Sequence, residues 1–89
     1  MIKLIWHKSF ARAFKKTIKK NPELKDKLRE ALELFVNDPF HPLLGTHKLS
    51  GKLKAHHAFS LGYDLRVVIK FVDREEVALI SIGRHEEVY

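Results

Sequence analysis

The stretch HHAFSLGYDLRVVIKFVDREEVALISI, residues 56–82, decides the fold class. From about Ala55 the side chains alternate with a period of two. His57, Phe59 and Leu61 fall on one face of an extended segment, and His56, Ala58 and Ser60 on the other. Gly62-Tyr63-Asp64 makes a short turn into Leu65–Val72, and Asp73-Arg74-Glu75-Glu76 makes another into Val77–Ile82. Strands joined by turns this short form an antiparallel meander. In the middle strand Leu65, Val67, Ile69 and Phe71 point one way, while Arg66 and Lys70 point the other.

Upstream of this stretch the period changes. Leu24, Leu28, Ala31, Leu32 and Phe35 recur at helical spacing, as do Phe10, Ala13, Phe14 and Ile18. Ser9 is placed to cap the first helix and Asn21 the second, with Pro22 in the opening turn, where a missing N–H costs nothing. Asn37-Asp38-Pro39 ends the second helix, because the residue before proline is pushed out of the α region. Phe40–Lys54, broken by Pro42, Gly45 and Gly51, reads as a structured loop. Met1–His7 is rich in β-formers and reads as a first strand of open position. The expected class is α+β: an N-terminal strand and an antiparallel helical hairpin packed on one face of a C-terminal antiparallel β-meander. With no repeat, Gly/Ser linker or low-complexity run, residues 1–89 read as a single domain.

Composition narrows the chemistry. The chain has no cysteine, which removes disulfides, thiolate metal sites and cysteine nucleophiles. No apolar run approaches membrane-spanning length, and Met1 leads directly into a strand-like segment, so a cytoplasmic globular domain is expected, with no membrane partner. The net charge is +6, unevenly spread: residues 1–20 hold seven Lys/Arg and no acid. Clustered cations concentrate polyanions, which makes a nucleic acid or an acidic protein the expected partner, against the plain alternative of a basic soluble protein.

Arg66 stands on an otherwise well-formed strand beside the Asp64 turn, on the sheet face that one helical hairpin cannot cover; a solvated arginine is the plain alternative. His85 follows the last strand, where a rigid sheet can project an imidazole as general acid or base. His47 lies among cations in the loop, and the neighbours His56 and His57 face opposite sides. Six histidines invite a metal reading, but there is no H-E-x-x-H and no Cys/His spacing, so no metal site is expected. Phosphate-binding glycine loops and a nucleophile elbow are absent too. Histidine, aspartate and arginine on a basic scaffold do suit RNA cleavage, since RNA carries its own nucleophile in the 2′-hydroxyl. Such cleavage needs a base, a cation for the phosphorane and an acid for the departing 5′ oxygen.

Several stretches together resemble the RelE/ParE toxin superfamily of toxin–antitoxin modules, and most closely its YafQ-like mRNA interferases. They are the first strand with the Lys-rich helical hairpin, H-K-L-S-G-K-L-K at 47–54, Y-D-L-R-V-V at 63–68 and G-R-H-E-E-V-Y at 83–89. The resemblance covers essentially the whole chain. It implies a small microbial RNase that cuts mRNA in the ribosomal A site without metal or small-molecule cofactor, neutralised by a cognate antitoxin. By position His47, Asp64 and His85 match catalytic residues of the family, and Arg66 matches an arginine of the YoeB-like branch. The resemblance makes His85 the general acid and leaves Asp64 or His47 as the base. Arg66, with Arg84, would stabilise the phosphorane, and Tyr89 would stack on a nucleotide. Arg12, Lys15, Lys16, Lys19, Lys48, Lys52 and Lys54 would dock on ribosomal RNA. One position departs from the pattern: Ser60 stands where YafQ-like toxins usually carry another histidine. Two other readings of the same scaffold are a ParE-like gyrase inhibitor without nuclease activity and a degenerate, non-toxic RNA-binding homologue.

Overall fold

The computed structural model describes residues 1–88, the side chain of Glu87 aside. In chain order the elements are β1 (Lys3–Trp6), α1 (Lys8–Lys20), α2 (Leu24–Asn37), β2 (His47–Lys48), a 3₁₀ turn (Gly51–Leu53), β3 (His57–Leu61), β4 (Leu65–Phe71), β5 (Glu76–Arg84) and the one-turn helix α3 (His85–Val88). The α+β expectation holds. α1 packs over β5 and α2 against β3, on one face of a five-stranded sheet ordered β1-β5-β4-β3-β2. β3, β4 and β5 form the antiparallel meander, and β1 lies parallel to β5 at one edge.

The core lies between helices and sheet. Phe10 of α1 and Leu24, Leu28 and Phe35 of α2 meet Phe59, Val67, Ile69 and Leu79 there. Phe35 stacks on Phe59 with ring centroids 5.3 Å apart, and Trp6 meets Phe10 edge-on at 4.8 Å. Aromatic pairs of this geometry add a fraction of a kcal/mol to about 1.5 kcal/mol beyond the area they bury.

The helix ends differ from expectation. α1 begins at Lys8, and the residue in the capping position is His7, whose Nδ1 accepts the Ser9 N–H at 3.3 Å. Ser9 lies inside the helix, and its hydroxyl donates to the Ile80 carbonyl at 2.5 Å. Asn21 closes α1 and does not open α2. Its N–H donates to the Thr17 carbonyl at 3.1 Å, and its own carbonyl accepts the Leu24 N–H at 3.0 Å. Lys19 and Lys20 in the last turn favour this ending through the helix dipole. Pro22 and Glu23 become the turn, and α2 starts at Leu24.

The sheet also holds two features that alternation does not reveal. The loop over residues 40–54 contains β2, which pairs His47 with Ala58 and Lys48 with His57. A strand of one histidine and one lysine carries too little pattern to be read. β5 runs past the expected Val77–Ile82 and contains a bulge. Val68 pairs with Ser81 but Ile69 pairs with Leu79, so Ile80 has no partner on β4. The extra residue reverses the alternation. Val77, Leu79 and Ile82 therefore all enter the core, and Gly83 comes to lie opposite Arg66. Ser9 satisfies the carbonyl of the bulged residue.

Candidate active site

On the face of the sheet away from the helices, a row of small residues surrounds one guanidinium. Ser60 pairs with Arg66, and Arg66 with Gly83. The Ser60 N–H donates to the Leu44 carbonyl at 2.8 Å, which continues the ladder past β2. That bond brings Gly45 beside Ser60: a Cβ on Gly45 would lie 3.7 Å from the Ser60 hydroxyl, and its φ of +62° favours glycine. Arg66 is half-buried, and its Nη1 donates to the Leu65 carbonyl at 2.9 Å. The next row is His47, Ala58, Val68 and Ser81. His47 thus shares the open face with Arg66, and its Nδ1 bonds the Gly45 carbonyl at 3.0 Å. Strand spacing and rise put the two Cα atoms roughly 12 Å apart, a separation that two long side chains can close around a phosphodiester.

His85 is the first residue of α3, two positions beyond Gly83, and it is exposed; α3 packs on β4 and β5. Asp64 lies elsewhere. The bulge turns Arg84 to the helix side, opposite Leu65, and its Nε lies 3.8 Å from the Asp64 carboxylate. This exposed pair lines a groove of about 620 Å³ with Lys16, Thr17, Lys20 and Asn21 of the α1 end. Four of the expected site residues therefore fall into two groups: His47 and Arg66 share the open face with Ser60, and Asp64 and Arg84 share the groove, while His85 opens α3 beyond the end of β5. Tyr89 lies outside the described residues.

The expected RNA-contacting cations are all exposed, on different surfaces. Arg12, Lys15, Lys16 and Lys19 belong to α1. Lys48 and Lys52 line a second hollow with His47 beside the 3₁₀ turn, and Lys54 follows that turn.

The other four histidines have structural surroundings. His7 caps α1, and the His41 Nδ1 accepts the Leu43 N–H at 3.1 Å. His57 meets Phe71 edge-on at 4.9 Å and Phe40 at 5.9 Å. Burial, then the nearby Lys48 and His47, lower the His57 pKa below its ordinary value. The Nδ1 atoms of His56 and His57 are buried without a hydrogen-bond partner. Among the described residues no three His, Asp or Glu side chains come together in a way that would hold a metal ion. No described helix is long and apolar enough to cross a membrane.

Sequence reasoning missed the structural partners of the open face. Gly45 and Gly83 flank Ser60 and Arg66, and their lack of side chains leaves the row shallow. Gly45-Thr46-His47 and Gly83-Arg84-His85 are matching Gly-x-His steps, and that repeat was the available signal.

No protein-family model matches the sequence, and no curated protein does. Solved structures do. A copper-bound mutant toxin from Helicobacter pylori is 28% identical, with a TM-score of 0.84 over 100% of both chains. The E. coli DinJ-YafQ complex contains a chain 15% identical, with a TM-score of 0.82 over 100% of this chain and 99% of that one. A YoeB/ParE toxin from Agrobacterium tumefaciens is 16% identical, with a TM-score of 0.78 over 94% of this chain and 99% of that one. The last two similarities bear on the fold alone; the first extends to the sequence.

Proposed function

We propose that this chain, a RelE-like toxin of the RelE/ParE superfamily in its YafQ-like form, is the toxin of a type II toxin–antitoxin module and cleaves mRNA in the ribosomal A site. The observation that carries the reading is the open-face row, where Arg66 stands between Ser60 and Gly83 with His47 one row away.

The chemistry balances without an added reactant. A 2′-hydroxyl attacks the adjacent phosphorus while its proton passes to neutral His47. The P–O5′ bond breaks, and protonated His85 delivers a proton to the departing oxygen. The products are a 2′,3′-cyclic phosphate and a 5′-hydroxyl. Arg66 faces the phosphorane, whose extra negative charge it stabilises more strongly than the ground state. His47 is favoured over Asp64 as base, because Asp64 faces Arg84 on the helix side of the sheet. Arg84 then steadies Asp64 and the β4–β5 end and does not share the phosphorane with Arg66.

The shallow open face supports ribosome dependence: in this reading the ribosome supplies the geometry that bends RNA for in-line attack. The α1 cations and Lys48, Lys52 and Lys54 dock on ribosomal RNA, and the antitoxin is an acidic or amphipathic protein that covers the basic surface in the cytoplasm. The test is incubation of purified protein with programmed ribosomes carrying an empty A site, followed by end-group analysis. Cleavage within the A-site codon with 2′,3′-cyclic phosphate ends is expected. Intact mRNA together with inhibited gyrase supercoiling would replace this reading with the gyrase one.

A further inference from the structure

Ser60 faces away from the helices, because its neighbours on β3, Phe59 and Leu61, both enter the core. Arg66 stands directly opposite on β4, likewise between two residues that pack toward the helices, Leu65 and Val67. Antiparallel partners lie about 4.5–5.5 Å apart at Cα, so the hydroxyl and the guanidinium emerge side by side. On its other flank the Ser60 N–H donates to the Leu44 carbonyl at 2.8 Å, and a Cβ on Gly45 would come within 3.7 Å of the Ser60 Oγ. Gly45 also anchors His47, whose Nδ1–H donates at 3.0 Å to the Gly45 carbonyl, a group that can only accept. Ser60 therefore lies between Arg66 and the carbonyl that holds the His47 ring. Both Ser60 and Arg66 are half-buried. Among the described residues no hydrogen bond engages the Ser60 hydroxyl. Arg66 has five N–H donors, and the one bonded to the Leu65 carbonyl at 2.9 Å tethers the group to its own strand.

We propose that Ser60 is a catalytic residue: its hydroxyl donates to one non-bridging oxygen of the scissile phosphate while Arg66 holds the other. The assignment rests on the ribonuclease reading and adds a second ligand to the reacting group. A serine hydroxyl keeps its proton near neutrality, so its part is hydrogen bonding and not proton transfer. Both non-bridging oxygens gain negative charge as the phosphorane forms, and a donor fixed on a strand needs no reorganisation to meet that charge. A long arginine side chain neutralises the phosphate without fixing which oxygen it meets. A short hydroxyl on the neighbouring strand fixes it, and so orients phosphorus toward the base beyond Gly45. Glycine at position 45 keeps the hydroxyl accessible, since any side chain there would crowd it, and its φ of +62° favours glycine. The pair grips phosphate oxygens and no base, so its contribution is expected to be equal at every codon cut.

The test is single-turnover cleavage on programmed ribosomes of mRNA carrying a phosphorothioate of known configuration at the scissile linkage. Sulfur accepts hydrogen bonds poorly, so the isomer that turns sulfur toward Ser60 is expected to react about tenfold more slowly with the wild-type protein. Ser60→Ala is expected to cut the natural linkage about 10- to 10²-fold more slowly with unchanged circular dichroism, a smaller loss than that of an enclosed oxyanion donor. The same variant is expected to lose the discrimination against that one isomer and to keep the discrimination against the other. Ser60→Thr, which restores a hydroxyl, is expected to recover both the rate and the isomer effect. Two results would overturn the proposal: Ser60→Ala cutting the natural linkage at the wild-type rate, or Ser60→Ala slowed with the wild-type isomer pattern intact, which makes Ser60 a packing residue. Wild-type protein that leaves the natural linkage uncut overturns the ribonuclease reading itself, and that result is separate because it precedes any comparison of variants.

Discussion

At the scale of single residues, the six histidines divide by environment. His7, His41, His56 and His57 belong to caps, loops and packed rings, and His47 and His85 have exposed rings. Exposed rings can reach the protons of a bound substrate, as acid–base catalysis needs. His47→Ala is expected to lower the cleavage rate by about 10²- to 10⁴-fold, the usual contribution of a positioned general base. Single-turnover kinetics on programmed ribosomes measure it, and an unchanged rate would return the role to Asp64. His57 makes a different prediction. Its lowered pKa means that the fold prefers the neutral ring, so this contribution to stability is full above the ordinary value of about 6.5 and is lost as pH falls through the lower folded value. Urea midpoints across that range should fall in the wild type and fall less steeply in His57→Phe. Equal slopes would contradict it.

At the scale of elements, much of the fold was legible and its decisive irregularity was not. The two-residue period of Phe59 and Leu61, and of Val67 and Ile69, marks β3 and β4 because each strand buries one face. The helical stripe of Leu24, Leu28 and Phe35 marks α2 for the same reason. The bulge at Ile80 has no such signature: Ile80, Ser81 and Ile82 fit either register, and only packing selects the one that buries Ile82. That choice also separates Arg84 from Arg66, which adjacent positions on linear strands did not reveal. Ser9 holds the bulge carbonyl across 71 positions of sequence. Ser9→Ala should cost about 0.5–1.5 kcal/mol, more if the carbonyl is left dry, and should speed amide exchange around Ile80–Ile82. An unchanged urea midpoint and unchanged exchange at those amides would show that the hydroxyl does not support the bulge.

At the scale of the whole molecule, the extents of 33 × 28 × 25 Å leave no room for a deep nucleic-acid channel. The cations are distributed accordingly. The α1 set lies on the helix side of the sheet, Lys48 and Lys52 lie at the β2 edge, and Arg66 lies on the open face. A protein carrying cations on opposite sides suits a site walled by RNA on both, as a ribosomal cavity is. The central claim is that His47 and His85 act as base and acid on one phosphodiester beside Arg66, and the most direct measurement is primer extension on a reporter mRNA after induction. Wild-type protein is expected to give cuts in the reading frame together with growth arrest, and His85→Ala, altered only at an exposed side chain, neither. Cuts of equal strength from His85→Ala, or an uncut message during wild-type arrest, would contradict the account.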